Sequence, residues 1–209
     1  MEKLLRRINS LRRGPVAKCV SARMGEFRAK GQAPDEELFR ELCFCLLTAN
    51  YTSEGGIRIQ KAIGGGFLTM GEAALAAELR RLGYRFPNAR ARYIVAARQH
   101  RNVRDLLAGA PDERSLRKHV ADSVLGLGFK EASHFLRNIG YTGLAIIDFH
   151  VMDVLAGHGM IERPKSRSLS RKKYLEVERV LDSLAERAGL TQGELDLYLW
   201  YLETGKILK

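Results

Sequence analysis

The chain has 209 residues, enough for one large domain or two small ones, and 45% of them are hydrophobic, sufficient for a real core. A formal net charge of +11 points to a polyanion partner, nucleic acid by default, with a solvated basic exterior as the plainer reading. Three cysteines (Cys19, Cys43, Cys45) without a C-x-x-C pair argue against a disulfide framework, a zinc site or an iron–sulfur cluster; no long apolar stretch or signal peptide is visible, so no membrane association is expected and the protein is expected in the cytoplasm.

Helix follows helix along the chain. Two are predicted over 2–13 and 15–29, broken at Gly14-Pro15. Pro34 opens "PDEELFRELCFCLLTAN", whose acidic first turn suits a helix N-terminus. Leu38, Leu42, Cys45 and Ala49 recur there at helical spacing, and Cys43 and Cys45 read as core thiols. Ser53 is the expected cap of a further helix to about Gln60, ended by Gly64-Gly65-Gly66. A short helix over 71–82 closes at Gly83, and Pro87 starts another, to about Gln99. Helices over 113–124 and 130–139 flank a Gly-x-Gly stretch. Asp148 is the expected N-cap of a helix to about Ala156. The segment "ERPKSRSLSRKK" reads as a polar, basic, mobile loop. A helix over 171–188 turns Tyr174, Val177, Leu181, Leu184 and Ala188 inward. Thr191 and Glu194 form a capping box for the last helix, to about Glu203. The predicted fold class is all-α.

The Gly-x-Gly stretch, "LGLGFKEASHFLRNIG" from Leu125 to Gly140, fits neither a P-loop nor a dinucleotide fingerprint, because both require a preceding strand. A helix–Gly-x-Gly–helix hairpin fits. Gly126 and Gly128 permit a tight backbone and leave amide N–H groups uncovered at a helix N-terminus, where a phosphate binds. Spacing alone equally allows a plain helix–helix turn. Lys130 lies at the start of the second helix, whose positive end disfavours its ammonium form and so favours a nucleophilic amine. The plainer reading is a phosphate contact. Asp148, in "GLAIIDFHVMDVL", is either a simple N-cap or a carboxylate serving chemistry.

Taken together, the hairpin, the lysine after it and the later aspartate resemble the helix-hairpin-helix DNA glycosylase superfamily. "GLGFKEASHFLRNIG" with "IIDFHV", "LLTANYTSEGGIRIQ", "YRFPNARARYI" and the closing "WYLETGKILK" resemble, nearly end to end, the archaeal-type 8-oxoguanine DNA glycosylase/abasic-site lyase. The resemblance implies two helical subdomains flanking a DNA-binding cleft within a single glycosylase unit, 1–209. One subdomain is expected over about 34–110. The other, about 1–33 plus 111–209, is expected to carry the hairpin at 115–140.

It also implies a bifunctional repair enzyme. Such an enzyme flips 8-oxoguanine out of duplex DNA, because the anomeric carbon is shielded inside the stack, and excises it. It then nicks the strand by β-elimination through a lysine Schiff base. By motif, Lys130 is the implied nucleophile and Asp148 the carboxylate that stabilises the cationic sugar and helps activate the lysine. Asn50 falls at the gap left by the base, and its plainer reading is a helix C-terminal asparagine. Arg85 is implied to probe the orphaned cytosine. Phe86 is implied to stack on the flipped base, against a hydrophobic staple before Pro87. Trp200, the sole tryptophan, is the implied opposite wall, against a core position. Lys209 is implied to bring its terminal carboxylate to the protonated N7 of the oxidised base. His134 matches a family position too, with a buried structural histidine equally allowed. No metal or organic cofactor is implied. The partner is double-stranded DNA containing 8-oxoguanine, met by a monomer in a prokaryotic nucleoid.

Two basic clusters are candidates for the DNA path: Arg85, Arg90, Arg92, Arg98, Arg101 and Arg104, and then Arg163, Lys165, Arg167, Arg171, Lys172 and Lys173. Two alternatives stand beside the enzyme. A non-catalytic DNA-binding module would keep the glycines and basic faces without needing Lys130, Asp148 and Trp200 together. A glycosylase for another lesion would lack the lysine if monofunctional, or carry an iron–sulfur cluster if it belonged to the lysine-bearing pyrimidine enzymes.

Overall fold

The structure is a computed structural model that describes residues 1–163, 166 and 169–209. Lys165 and Arg167 of the second basic cluster lie outside the described residues. Helices run over Glu2–Arg12 (α1), Val16–Gly31 (α2), Asp35–Thr48 (α3), Ser53–Ile63 (α4), Gly66–Thr69 (α5), Glu72–Arg81 (α6), Pro87–Ala97 (α7), Val103–Leu107 (α8), Glu113–Ser123 (α9), Phe129–Asn138 (α10), Phe149–Gly157 (α11), Arg171–Ala188 (α12) and Gln192–Thr204 (α13). A 3₁₀ turn, Arg98–His100, follows α7. The described residues contain no strand, as an all-α class requires. No described helix is long and apolar enough to cross a membrane.

The chain divides into two compact units, one of residues 29–139 and one of residues 1–28 with 140–209. The division differs from the one read from sequence: the hairpin groups with 29–139 rather than with the chain ends. The cause is packing. Helix α10 lies on α3 as well as on its hairpin partner α9.

Helix α3 organises the 29–139 unit and packs against α4, α5, α7, α8 and α10. Surrounded on so many sides, it buries every residue from Leu38 to Thr48 except Arg40. Such a helix shows a weak amphipathic stripe because little of it beyond the first turn and Arg40 faces solvent. Cys43 and Cys45 are fully buried within it, as expected of core thiols, and burial pushes the Cys43 thiol well up. One polar network crosses this core. Asn138 Nδ2 donates to Glu41 Oε1 at 2.6 Å, Gln60 Nε2 donates to Glu41 Oε2 at 3.1 Å, and Arg137 Nε donates to Asn138 Oδ1 at 2.9 Å. Buried polar groups persist only when paired in this way.

In the terminal unit α13 packs against α11, α12 and α1, and α1 also packs on α12. The five inward residues expected of α12 are all buried. The Thr191–Glu194 capping box is present: Glu194 N donates to Thr191 Oγ1 at 3.2 Å, and Thr191 N to Glu194 Oε2 at 2.8 Å. One cap is displaced from expectation. Thr52, not Ser53, caps α4 by accepting from Gly55 N at 3.1 Å, because Ser53 is already the first helical residue. The short helices α5 and α8 were not foreseen, each being too brief to show a period.

Candidate active site

The hairpin is built from one strained turn and one local cap. Gly126 takes φ +89°, and a Cβ there would sit 2.5 Å from the Tyr93 ring. Only glycine meets both constraints. Gly128 is the N-cap of α10. Its N–H is not left open: it donates to Glu131 Oε2 at 3.3 Å. The other oxygen of Glu131 lies 3.4 Å from Lys130 Nζ. Lys130 thus stands in the first turn of α10, its side chain 25% exposed and ion-paired to its neighbour. Behind the hairpin, the buried Arg117 guanidinium lies 4.7 Å from the Phe129 ring centroid.

Helix α7 joins this hairpin to a second feature of the same unit. Tyr93, against Gly126, lies beneath two guanidinium groups, Arg90 at 5.5 Å and Arg92 at 5.4 Å. Arg90 itself is buried and donates to Tyr84 Oη at 3.0 Å and to Ala49 O at 3.0 Å. Tyr84 donates onward to Leu47 O at 2.8 Å. Burial raises the Tyr84 phenol above its usual range, and Arg90 partly opposes that shift. These bonds tie the end of α3 to the turn before α7. Asn50 stands at that end in a left-handed conformation, φ 61°, unique among the described non-glycine residues. Asparagine tolerates it better than most. Arg85 and Phe86 stand on the tied turn. Phe86 is 42% exposed and has the Arg85 guanidinium 5.0 Å from its ring centroid. So exposed a ring does not act as a buried staple.

The arginines of this segment divide by partner. Arg90 is spent on the Tyr84 network. Arg98 donates to Phe67 O at 2.8 Å and Met70 O at 2.6 Å. Arg104 donates to Ala33 O at 2.8 Å. These three hold main-chain carbonyls; the sequence left open which arginines of the run line a DNA path. Arg85, Arg92 and Arg101 are exposed. His134 is buried edge-on to Phe44, with 5.6 Å between ring centroids, in the manner of a core histidine.

In the terminal unit Asp148 is the N-cap of α11, Oδ1 accepting from Val151 N at 2.9 Å. An aromatic row follows it. The rings of Phe149 and His150 lie 3.9 Å apart, and His150 meets Trp200 of α13 edge-on at 4.9 Å. This row brings Trp200 to the start of α11. The buried Trp200 Nε1 has no hydrogen-bond partner among the described residues. Lys209 ends the extended tail after α13 and is half-buried. Sequence reasoning assigned no role to His150 or Tyr93, although both stand in the quoted motifs. Their ring contacts are tertiary, and only the i+2 spacing of His150 from Asp148 was there to flag it.

A family model described as 8-oxoguanine DNA glycosylase matches residues 20–190. The chain is 48% identical over 210 residues to the 8-oxoguanine DNA glycosylase/AP lyase of Korarchaeum cryptofilum, covering 100% of this chain and 99% of that one. The crystal structure of the Methanocaldococcus jannaschii 8-oxoguanine glycosylase/lyase, in complex with a 15mer DNA containing 8-oxoguanine, superposes with a TM-score of 0.96 at 45% identity, covering 99% of this chain and 100% of that chain. The 8-oxoguanine DNA glycosylase of Thermotoga maritima gives a TM-score of 0.92 at 44% identity, covering 100% and 99%. With a helix-hairpin-helix present and the likeness running over the full length, the chain belongs to the 8-oxoguanine DNA glycosylase family.

Proposed function

We propose that this protein is a bifunctional DNA repair enzyme that flips 8-oxoguanine from duplex DNA, excises it and nicks the strand at the resulting abasic site. The observation that carries the reading is Lys130, a partly exposed amine in the first turn of α10, directly after Gly126-Leu127-Gly128-Phe129, in a chain of this family. Lys130 Nζ forms a bond to C1′ as the bond from C1′ to the base breaks. The sugar ring opens to an imine, loss of a C2′ proton expels the 3′ phosphate, and water releases the lysine. The amine must first leave Glu131. The pair is partly solvated and rests on a single 3.4 Å contact, so its release is a minor cost. Asp148 supplies the anion that stabilises cationic character on the sugar as the base departs. The chemistry needs neither metal nor organic cofactor.

The remaining residues serve recognition. Phe86, exposed and cation-backed, and Trp200 offer two faces for a purine, each stack contributing on the order of 1–3 kcal/mol. The tail residue Lys209 serves recognition of the oxidised base, whose protonated N7 donates where guanine presents a lone pair. Arg85 probes the orphaned cytosine, Asn50 fills the gap, and Gly126 and Gly128 bring the backbone close to a phosphate. The enzyme acts as a monomer, at the nucleoid in the cytoplasm of a prokaryotic cell; its relatives come from prokaryotes.

Borohydride trapping on an 8-oxoguanine duplex tests the reading. The wild type is expected to crosslink and Lys130→Gln is not. The variant keeps its affinity for the duplex within a few-fold, since one charge among many is lost. A Lys130→Gln protein that crosslinks in full yield refutes the assignment.

A further inference from the structure

The run Leu144–Ile147, immediately before Asp148, is buried and belongs to no helix. Buried main-chain N–H and C=O groups without a ladder must find side-chain partners. Here α12 provides them. Tyr174 Oη donates to Ala145 O at 2.7 Å and accepts from Ile147 N at 3.3 Å. One turn on, Glu178 Oε1 accepts from Ala145 N at 3.3 Å. Both side chains are buried, Tyr174 at 3% and Glu178 at 2% exposure. Upstream, Thr142 O accepts from Gly193 N at 3.0 Å. Ile147 is the residue before Asp148, so the Tyr174 hydroxyl grips the chain one residue ahead of the carboxylate.

We infer that Tyr174 and Glu178 are positioning residues for Asp148, α12 acting as a brace that sets where the carboxylate stands when the base departs. This rests on the assignment of Asp148 above. Asp148 has a second anchor in its own cap, to Val151 N. That bond fixes the carboxylate relative to α11 and leaves the position of the α11 start to the buried run. A carboxylate that stabilises transient charge must be held to a fraction of an ångström. Displacement by about 1 Å costs on the order of 100-fold in rate.

The test is single-turnover excision of 8-oxoguanine at saturating enzyme, with the Kd for the lesion duplex and the folded fraction measured in parallel. Tyr174→Phe removes only the hydroxyl. Its excision rate is expected to fall about 10- to 100-fold while Kd stays within about twofold and the protein is fully folded. Glu178→Gln keeps an acceptor for Ala145 N and is expected within about twofold of wild type, whereas Glu178→Met, similar in size without the acceptor, loses about tenfold. The Glu178 pair decides the matter if Tyr174→Phe does not fold. A wild-type excision rate in Tyr174→Phe or Glu178→Met, or losses no larger than the change in Kd or folded fraction, overturns the inference while Asp148→Asn remains inactive. If Asp148→Asn itself excises at the wild-type rate, the assignment of Asp148 has failed, and the brace has nothing to position.

Discussion

Lys130 and Asp148 are held by opposite means. The lysine stands on a turn whose constraints lie mostly in its own segment: Gly126 with its left-handed φ, Gly128 as cap, and Glu131 reaching back to both the cap and the lysine. Tyr93 is the one distant contributor, closing the space over Gly126. The aspartate follows a buried irregular run whose hydrogen bonds come from α12, 27 to 33 residues further along the chain. The comparison teaches that one chemical group is placed by backbone conformation and the other by side chains remote in sequence. Damage to the first therefore registers mainly in stability and local geometry, and damage to the second in rate.

Asp148→Asn probes the larger expected effect. Asparagine caps a helix about as well as aspartate, so the melting temperature should barely move. Excision should fall by about 100-fold or more, as for loss of a preorganised charge-stabilising group. Parallel losses of stability and activity would return Asp148 to a simple cap and remove the contrast with Lys130.

Gly126→Ala is next. A left-handed non-glycine residue costs roughly 1–2 kcal/mol, and driving a methyl against the Tyr93 ring adds about 1–3 kcal/mol. Urea denaturation should report a loss of about 2–5 kcal/mol. A double-mutant cycle with Tyr93→Ala separates the two parts, since the cycle recovers the packing part and leaves the backbone part. Additive losses would show that Tyr93 does not bear on the hairpin and that its geometry is wholly local.

The smallest effect belongs to Glu131→Ala. Losing the hydrogen bond from Gly128 N–H to the Glu131 carboxylate costs about 1 kcal/mol. The Lys130 amine also loses its ion-pair partner, and borohydride trapping should persist. Loss of trapping with the fold intact would make Glu131 part of the chemistry rather than of the turn.

Much of this architecture was legible in the sequence for one physical reason: caps act within one turn. The Thr191–Glu194 box and the Asp148 cap are each contacts between residues three apart, and both stand where the sequence placed them. The Thr52 cap missed by one residue, because two adjacent hydroxyl residues offer the same chemistry and only the backbone entry angle chooses. The arginines between 85 and 104 resisted sequence reading altogether. Arg90 and Arg92 look alike two positions apart, yet Arg90 is buried on Tyr84 and Ala49 while Arg92 is exposed. The role of an arginine follows from which carbonyls lie within its reach, and those come from distant segments.

By itself the sequence determined the all-α class, most helix boundaries, the hairpin and the residues offered for chemistry, because helical period, glycine conformation and end-capping are short-range effects. Tertiary structure alone decided that the hairpin groups with 29–139, through the packing of α10 on α3. It alone set Tyr93 against Gly126, ran an aromatic row from Phe149 through His150 to Trp200, and gave the run before Asp148 its partners on α12. Those contacts join residues tens of positions apart. Burial without a regular hydrogen-bond ladder forces such partners to exist, and only the folded chain selects which they are.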